Sequence, residues 1–179
     1  MPRHTAAQIF DWVYAKKIID PAKFSNIAAR HRRHLAENLA FHQSSVIETH
    51  SASDGTRKML LQWPDRGHPS ATSEGSTAIS LPQSSDPNRQ VECVMIPSPP
   101  RYTACISSQI GCPVGCRFCA SGLGGLDGNL TTGQIIEQVH RLNCLREIDR
   151  LTNIVFMGMG EPLANFNAVT SAIRTINSP

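Results

Sequence analysis

The chain of 179 residues has no run of about 18 apolar residues, so no segment reads as a membrane-spanning helix. Its start, Met1-Pro2-Arg3-His4, lacks the apolar stretch of a secretory signal. It also has little net charge, +3, which argues against a uniformly basic or acidic binding surface. That small excess is unevenly placed. Residues 1–42 hold seven Lys and Arg against three Asp and Glu, while residues 43–179 are slightly acidic. Lysine is scarce, four against thirteen arginines, a bias that favours bidentate phosphate contacts. Six cysteines without a secretory signal read as reduced thiols, ligands or nucleophiles rather than a disulfide framework. The expectation is a cytoplasmic protein with a basic head, no membrane partner and a monomeric state.

Along the chain, residues 5–19 read as a helix opened by a Thr5/Gln8 capping box, with Ile9, Trp12 and Val13 on one side. Asp20-Pro21 reads as the cap and first turn of a second helix with Phe24, Ile27, Leu35 and Leu39 inward and Arg30, Arg32 and Arg33 outward. Val46-Ile47 and Met59-Leu60-Leu61 flank a turn at Asp54-Gly55, the pattern of a hairpin. Half of the 26 residues in 65–90 are Ser, Thr, Pro or Gly, so this stretch reads as a flexible insertion. Strands are expected at 91–96 and 103–108, then a Gly- and Cys-rich loop over 109–129. Thr131 and Gln134 cap the next helix, with Ile135, Val139 and Leu142 inward. Ile154-Val155-Phe156-Met157 reads as a fully buried strand. A last helix is capped near Asn165, with Val169, Ala172, Ile173 and Ile176 inward. Two strand–loop–helix units in succession point to an α/β fold with parallel pairing, the units from which barrels are built. The domains expected are a basic helical head over 1–42, a hairpin and strand region over 43–97 containing the insertion, and the start of an α/β core over 98–179.

The strongest chemical signal is Cys112-Pro113-Val114-Gly115-Cys116-Arg117-Phe118-Cys119, a C-x3-C-x2-C run in a glycine-bearing loop. Three close thiolates can hold three corners of a metal or cluster. A closed structural zinc site wants four ligands, and so in general does a four-iron cluster. Three therefore leave one position open. A zinc site completed by Cys105, Cys144 or a histidine is the alternative. Thirty-nine residues after Cys119 the chain reads Gly158-Met159-Gly160-Glu161-Pro162. By itself that is a glycine-rich strand-to-helix turn with a carboxylate able to accept from an ammonium group.

Together these elements resemble the radical S-adenosylmethionine (SAM) superfamily. The surroundings narrow the likeness. Residues 105–112 (Cys-Ile-Ser-Ser-Gln-Ile-Gly-Cys), 119–122 (Cys-Ala-Ser-Gly), 8–12, 54–58 and 91–97 resemble the RlmN/Cfr family of rRNA adenine methyltransferases, in order over nearly the whole chain. RlmN is the better match of the two, and the long insertion departs from the family pattern. The resemblance implies a partial (β/α)6 barrel, a 4Fe-4S cluster on Cys112, Cys116 and Cys119, and SAM contacts from Gly160 and Glu161. It also implies a resolving thiol at Cys105, seven residues before the first cluster cysteine, and a proton-accepting carboxylate at Glu92. Taken singly, Cys105 would read as a core thiol and Glu92 as a solvent-facing strand residue. Cys93 and Cys144 read as packing thiols.

The implied reaction places a methyl group on C2 of adenine in rRNA, with tRNA as a further candidate partner. It runs through a methyl-cysteine near the family's C-terminus and a 5′-deoxyadenosyl radical, with a reductant such as flavodoxin. That methyl-carrying cysteine has no counterpart here, so the chain is expected to be an N-terminal fragment, inactive by itself. The competing function class is a non-catalytic RNA-binding module holding zinc or an iron–sulfur group.

Overall fold

The computed structural model describes residues 3–64 and 89–177, in a mixed α/β fold of four helices and two sheets. Helix α1, Arg3–Phe10, continues into a wider π turn at Asp11–Ala15. The helix starts before Thr5, so this residue is buried inside the first turns rather than capping them. The Gln8 amide is not drawn into a capping box either; it donates to the Asn26 carbonyl at 3.3 Å. Asp20 does accept from the Ala22 N–H at 2.9 Å, but what it caps is a single 3-10 turn, Pro21–Lys23. Helix α2, Ala29–Asn38, begins only six residues later. The physical reason lies in Asn26, whose side-chain oxygen accepts from the Trp12 indole at 2.6 Å. Tertiary bonds to α1 and to its π turn thus hold the connection out of helical geometry, and Asn favours such local alternatives. Val13, Phe24, Ile27 and Leu35 form the small core of this head, with Trp12 stacked on Phe24 at 5.5 Å. Leu39, expected inward, lies past the end of α2 and is exposed.

The expected hairpin is present as β1, Ser45–Ser51, and β2, Arg57–Trp63. Strand β3, Arg89–Ser98, pairs antiparallel with β2 and then with β4, Arg101–Cys105. Of the Ser/Pro-rich stretch, residues 65–88 lie outside the described residues, and Arg89 and Gln90 already belong to β3. The region read as loop contains a short antiparallel ribbon, β5, Gln109–Gly111, with β6, Leu126–Asn129. Helix α3, Thr132–Asn143, follows with the full Thr131/Gln134 capping box. Strand β7, Asn153–Val155, then pairs parallel with β4. The main sheet therefore has the order β1-β2-β3-β4-β7. Because β7 lies at the sheet's edge it is half-buried, and Met157, expected in a buried strand, is exposed. Helix α4, Phe166–Ile176, buries Val169 and Ala172, whereas Ile173 faces outward.

Period-two alternation gives the sheet two unlike faces. Met59, Leu61, Trp63, Val91, Cys93, Met95 and Ala104 face a core shared with Ile135, Val139 and Leu142 of α3 and with Val169 and Ala172 of α4. By the observed register, Lys58, Leu60, Glu92, Val94, Cys105 and Val155 share the opposite face, and none of them is buried.

The head is joined to the core through α3. Glu137, 4% exposed, accepts from the N–H groups of Gln43 and Ser44, the Ser44 hydroxyl, the Trp63 indole and Arg141. Burial by itself would raise this carboxyl's pKa, but the bonds from Ser44, Gln43 and Arg141 hold it below the usual range. Nearby, His140 donates from Nε2 to the Val13 carbonyl at 2.8 Å and accepts at Nδ1 from His42 at 2.9 Å. Desolvation, with Arg141 close by, lowers both imidazole pKa values, that of His42 to about 4.

Candidate active site

Parallel pairing of β4 with β7 brings the carboxyl ends of two strands side by side, and from these ends the two sequence motifs emerge. The pairing runs on beyond the strands. Ile106 N–H donates to the Val155 carbonyl at 2.9 Å, Gly158 N–H to that of Ile106 at 3.1 Å, and Ser108 N–H to that of Met159 at 2.9 Å. Side chains add to it: Met159 N–H donates to the Ser107 hydroxyl at 2.9 Å, and Glu161 N–H to Gln109 Oε1 at 2.8 Å. Both glycines of the motif are demanded by this close approach. A Cβ on Gly158 would lie 2.7 Å from Ser107 Oγ, and one on Gly160, at φ +96°, would lie 2.6 Å from Gln109 Cβ. The glycines thus admit the chain's own neighbouring segment. Glu161 is half-buried, and its carboxylate accepts from the Leu163 N–H at 2.9 Å, capping the turn Pro162–Asn165.

The cysteine loop leaves β5 and returns through β6. Cys112 N–H donates to the Gly125 carbonyl at 2.9 Å, closing the loop, and Cys119 N–H to that of Cys116 at 3.0 Å, forming a turn within it. Cys116 is exposed, Cys112 and Cys119 are half-buried, and all six cysteines of the chain are free. Among the described residues no three His, Cys, Asp or Glu side chains stand together in a metal-holding group, so the three thiols share a loop without being drawn to one point. The donor chemistry nevertheless fits a soft metal or cluster. Between Gln109 and Leu126 the three thiols are the only strong ligand side chains, and Arg117 is the only charged one. Phe118, Leu123, Met157 and Leu163, all at least 75% exposed, put an apolar rim on these two loops.

Glu92 and Cys105 lie on the open face of the sheet, not in the core. Glu92 accepts from Lys58 Nζ at 2.9 Å, and its backbone carbonyl accepts from the Ser107 hydroxyl at 2.7 Å. Burial raises the Cys105 thiol's pKa, partly opposed by a hydrogen bond from the Met157 backbone N–H. A carboxylate and a thiol thus share one sheet face near the end from which both loops emerge.

Sequence reasoning missed the polar groups that brace this end. Gln138 of α3 is fully buried; it accepts from Ser107 N–H at 2.8 Å and donates to the Ser107 carbonyl at 3.0 Å. Asn165 donates to the carbonyls of Ser108 and Leu130, both at 2.8 Å, and so spends the side chain expected to cap α4. The available signal was a polar residue beside the apolar positions of an amphipathic helix, Gln138 next to Val139 and one turn from Ile135 and Leu142.

No family model matches the chain. Curated relatives do. Proteins described as probable dual-specificity RNA methyltransferase RlmN from Akkermansia muciniphila and Thermotoga neapolitana are 39% and 38% identical over 96% and 99% of this chain. One described as dual-specificity RNA methyltransferase RlmN, from Halorhodospira halophila, is 39% identical over 96%. The crystal structure of a radical SAM methyltransferase from Sphaerobacter thermophilus superposes with a TM-score of 0.80 at 32% identity over 99% of the chain. The chain is similar to RlmN RNA methyltransferases and to a solved radical SAM methyltransferase. It spans less than half the length of these proteins, 42–45% of the three curated relatives and 47% of the solved one.

Proposed function

We propose that these 179 residues are the cluster- and SAM-binding part of a radical SAM methyltransferase that methylates C2 of adenine in rRNA and tRNA. In this reading residues 1–42 form an RNA-recognition head, 43–97 a connecting region, and 98–179 the first two βα units of a partial barrel. The observation that carries it is the meeting of the cysteine loop and residues 158–161 at the carboxyl ends of two parallel strands, with Glu92 and Cys105 on the open face beside them. Ligands of parallel α/β folds bind at that end.

Cys112, Cys116 and Cys119 would hold a 4Fe-4S cluster as thiolates, and Gly160 and Glu161 would contact SAM. Bound there, the cluster and SAM would supply one-electron, radical chemistry. The chain's own residues then have two tasks. Glu92 would accept the proton that leaves the adenine carbon. Cys105, once deprotonated, would attack the sulfur of the methyl-carrying cysteine, forming a disulfide as the carbon–sulfur bond breaks and the released carbon takes up a proton to become the methyl group. A cysteine carrying the methyl group lies outside these residues, so methyl transfer requires the part of the relatives that this chain does not span. A reductant of the flavodoxin type is the expected electron source.

Anaerobic reconstitution of the chain with iron and sulfide tests this reading. The expected product is a brown protein whose spectrum responds to SAM, with colour lost in Cys112→Ala, Cys116→Ala and Cys119→Ala. Mass spectrometry of RNA incubated with SAM and reductant should show 2-methyladenine with a chain extended to the relatives' length and none with residues 1–179. A colourless protein with one tightly held zinc and no sulfide would overturn this reading, and RNA binding by that zinc form would support the competing module.

A further inference from the structure

Gln109 is fully buried, yet it is an uncharged polar side chain among strands and loops that could have been filled by an apolar one. From β5 it reaches two other segments. The Glu161 N–H can only donate, so the side-chain oxygen Oε1 faces it, at 2.8 Å. This orients Nε2 toward Asn129 of β6, where it donates to Oδ1 at 2.7 Å. Its Cβ and backbone N occupy the space a side chain at Gly160 would need, and its own N–H reaches the Met159 carbonyl at 3.3 Å. Gln109 is also the first residue of β5, three positions before Cys112. One amide group therefore joins the segment carrying Gly160 and Glu161 to both strands of the ribbon from which the cysteine loop hangs.

We infer that Gln109 is a positioning residue that sets residues 159–161 against the cysteine loop, so that its carbonyl oxygen governs SAM affinity while the thiols keep their own capacity for iron. The inference rests on the proposed SAM role of Gly160 and Glu161. Its physical content is that the half-buried Glu161 N–H, left without its acceptor, turns toward another partner or toward water, and the segment shifts with it.

The experiment uses the 179-residue chain with two substitutions of nearly equal length. Gln109→Met removes the acceptor, and Gln109→Glu keeps it, with the exposed Asn129 amide turned so that its NH2 donates to the second carboxylate oxygen. Amide hydrogen exchange on the iron-free chain should show the Glu161 amide exchanging at least tenfold faster in Gln109→Met, with α3 amides unchanged, and near the native rate in Gln109→Glu. After reconstitution, Gln109→Met should bind iron and sulfide in native amounts with SAM affinity at least tenfold weaker. Gln109→Glu should stay within threefold of the native chain, a rescue that a general packing defect would not give. Should Gln109→Met lose protection throughout α3, the exposed Asn129 offers a milder test. Asn129→Ala frees the Nε2 end of the amide and should weaken SAM binding about threefold; unchanged affinity there would overturn the inference. Native SAM affinity in a folded Gln109→Met would also overturn it. A native chain that takes up iron but no SAM would overturn the proposed function. Independently, an equally protected Glu161 amide in Gln109→Met would overturn the coupling itself.

Discussion

Among the six cysteines, position decides reactivity. Cys93 is fully buried, and desolvation pushes its thiol up to about 12, so it stays protonated and inaccessible. Cys105 is half-buried and its pKa is raised by burial, although the Met157 N–H favours the thiolate. Cys116 is open to solvent. Because a raised pKa leaves less thiolate at a given pH, Cys105 in the metal-free chain should react with iodoacetamide more slowly than Cys116 at pH 7. Its rate should go on rising with pH beyond the ordinary thiol range, and Cys93 should remain unmodified. Peptide mass spectrometry after timed quenching checks this, and Cys105 labelling as fast as Cys116 at pH 7 would contradict it. A slow resting Cys105 is compatible with a resolving role in which its deprotonation awaits the substrate.

At the scale of elements, α3 organises the molecule. Its apolar stripe of Ile135, Val139 and Leu142 packs on the sheet, while the polar residues Glu137, Gln138 and His140 do separate tasks. His140 holds the head, Glu137 holds the segment by which the chain leaves it, and Gln138 holds the strand end that leads to the cysteine loop. Glu137→Ala would leave Arg141, the Trp63 indole and two backbone N–H groups without their acceptor. Removing one partner of a buried ion pair costs about 3–5 kcal/mol, so urea unfolding should show a loss of about that size. An exposed pair such as Lys16–Asp11 contributes at most about 1 kcal/mol, and its removal serves as the control. A fall below about 1 kcal/mol for Glu137→Ala would mean that the junction is held by packing instead.

For the whole molecule, the strands of the hairpin region and those of the βα units form one continuous sheet, so the head, the open face and the two loops are held on a common frame. The described residues include no helix long and apolar enough to cross a membrane. Within the basic head the arginines are not equivalent. Arg32 donates to the Ala22 carbonyl at 2.8 Å and braces the turn at Pro21–Lys23, whereas Arg30 and Arg33 are exposed. If the head contacts RNA phosphates, Arg30→Ala with Arg33→Ala should lower the salt dependence of RNA binding by about one to two released ions. Arg32→Ala should instead lower the head's stability. Filter-binding titrations over a range of salt concentrations distinguish the two, and an unchanged slope in the double variant would assign those arginines to an ordinary solvated surface.

The sequence by itself determined the elements whose signal is local. The Thr131/Gln134 box, the hairpin around Asp54-Gly55 and the apolar stripes of α3 and much of α4 each depend on residues a few positions apart. The cysteine spacing and the glycine motif were legible for the same reason, since their chemistry is written in consecutive residues. Tertiary structure decided what depends on partners far along the chain. Asn26 binds Trp12 and Gln8, fourteen and eighteen residues away, and this postpones the start of α2. The ribbon of β5 with β6 joins strands fifteen residues apart with no tight turn between them, and the pairing of β3 with β4 across Pro99-Pro100 shows only once both strands lie in the sheet. Burial of Gln109, Gln138 and Asn165 follows from carbonyls and N–H groups that need partners where two loops meet, a demand that exists only after β4 and β7 lie side by side.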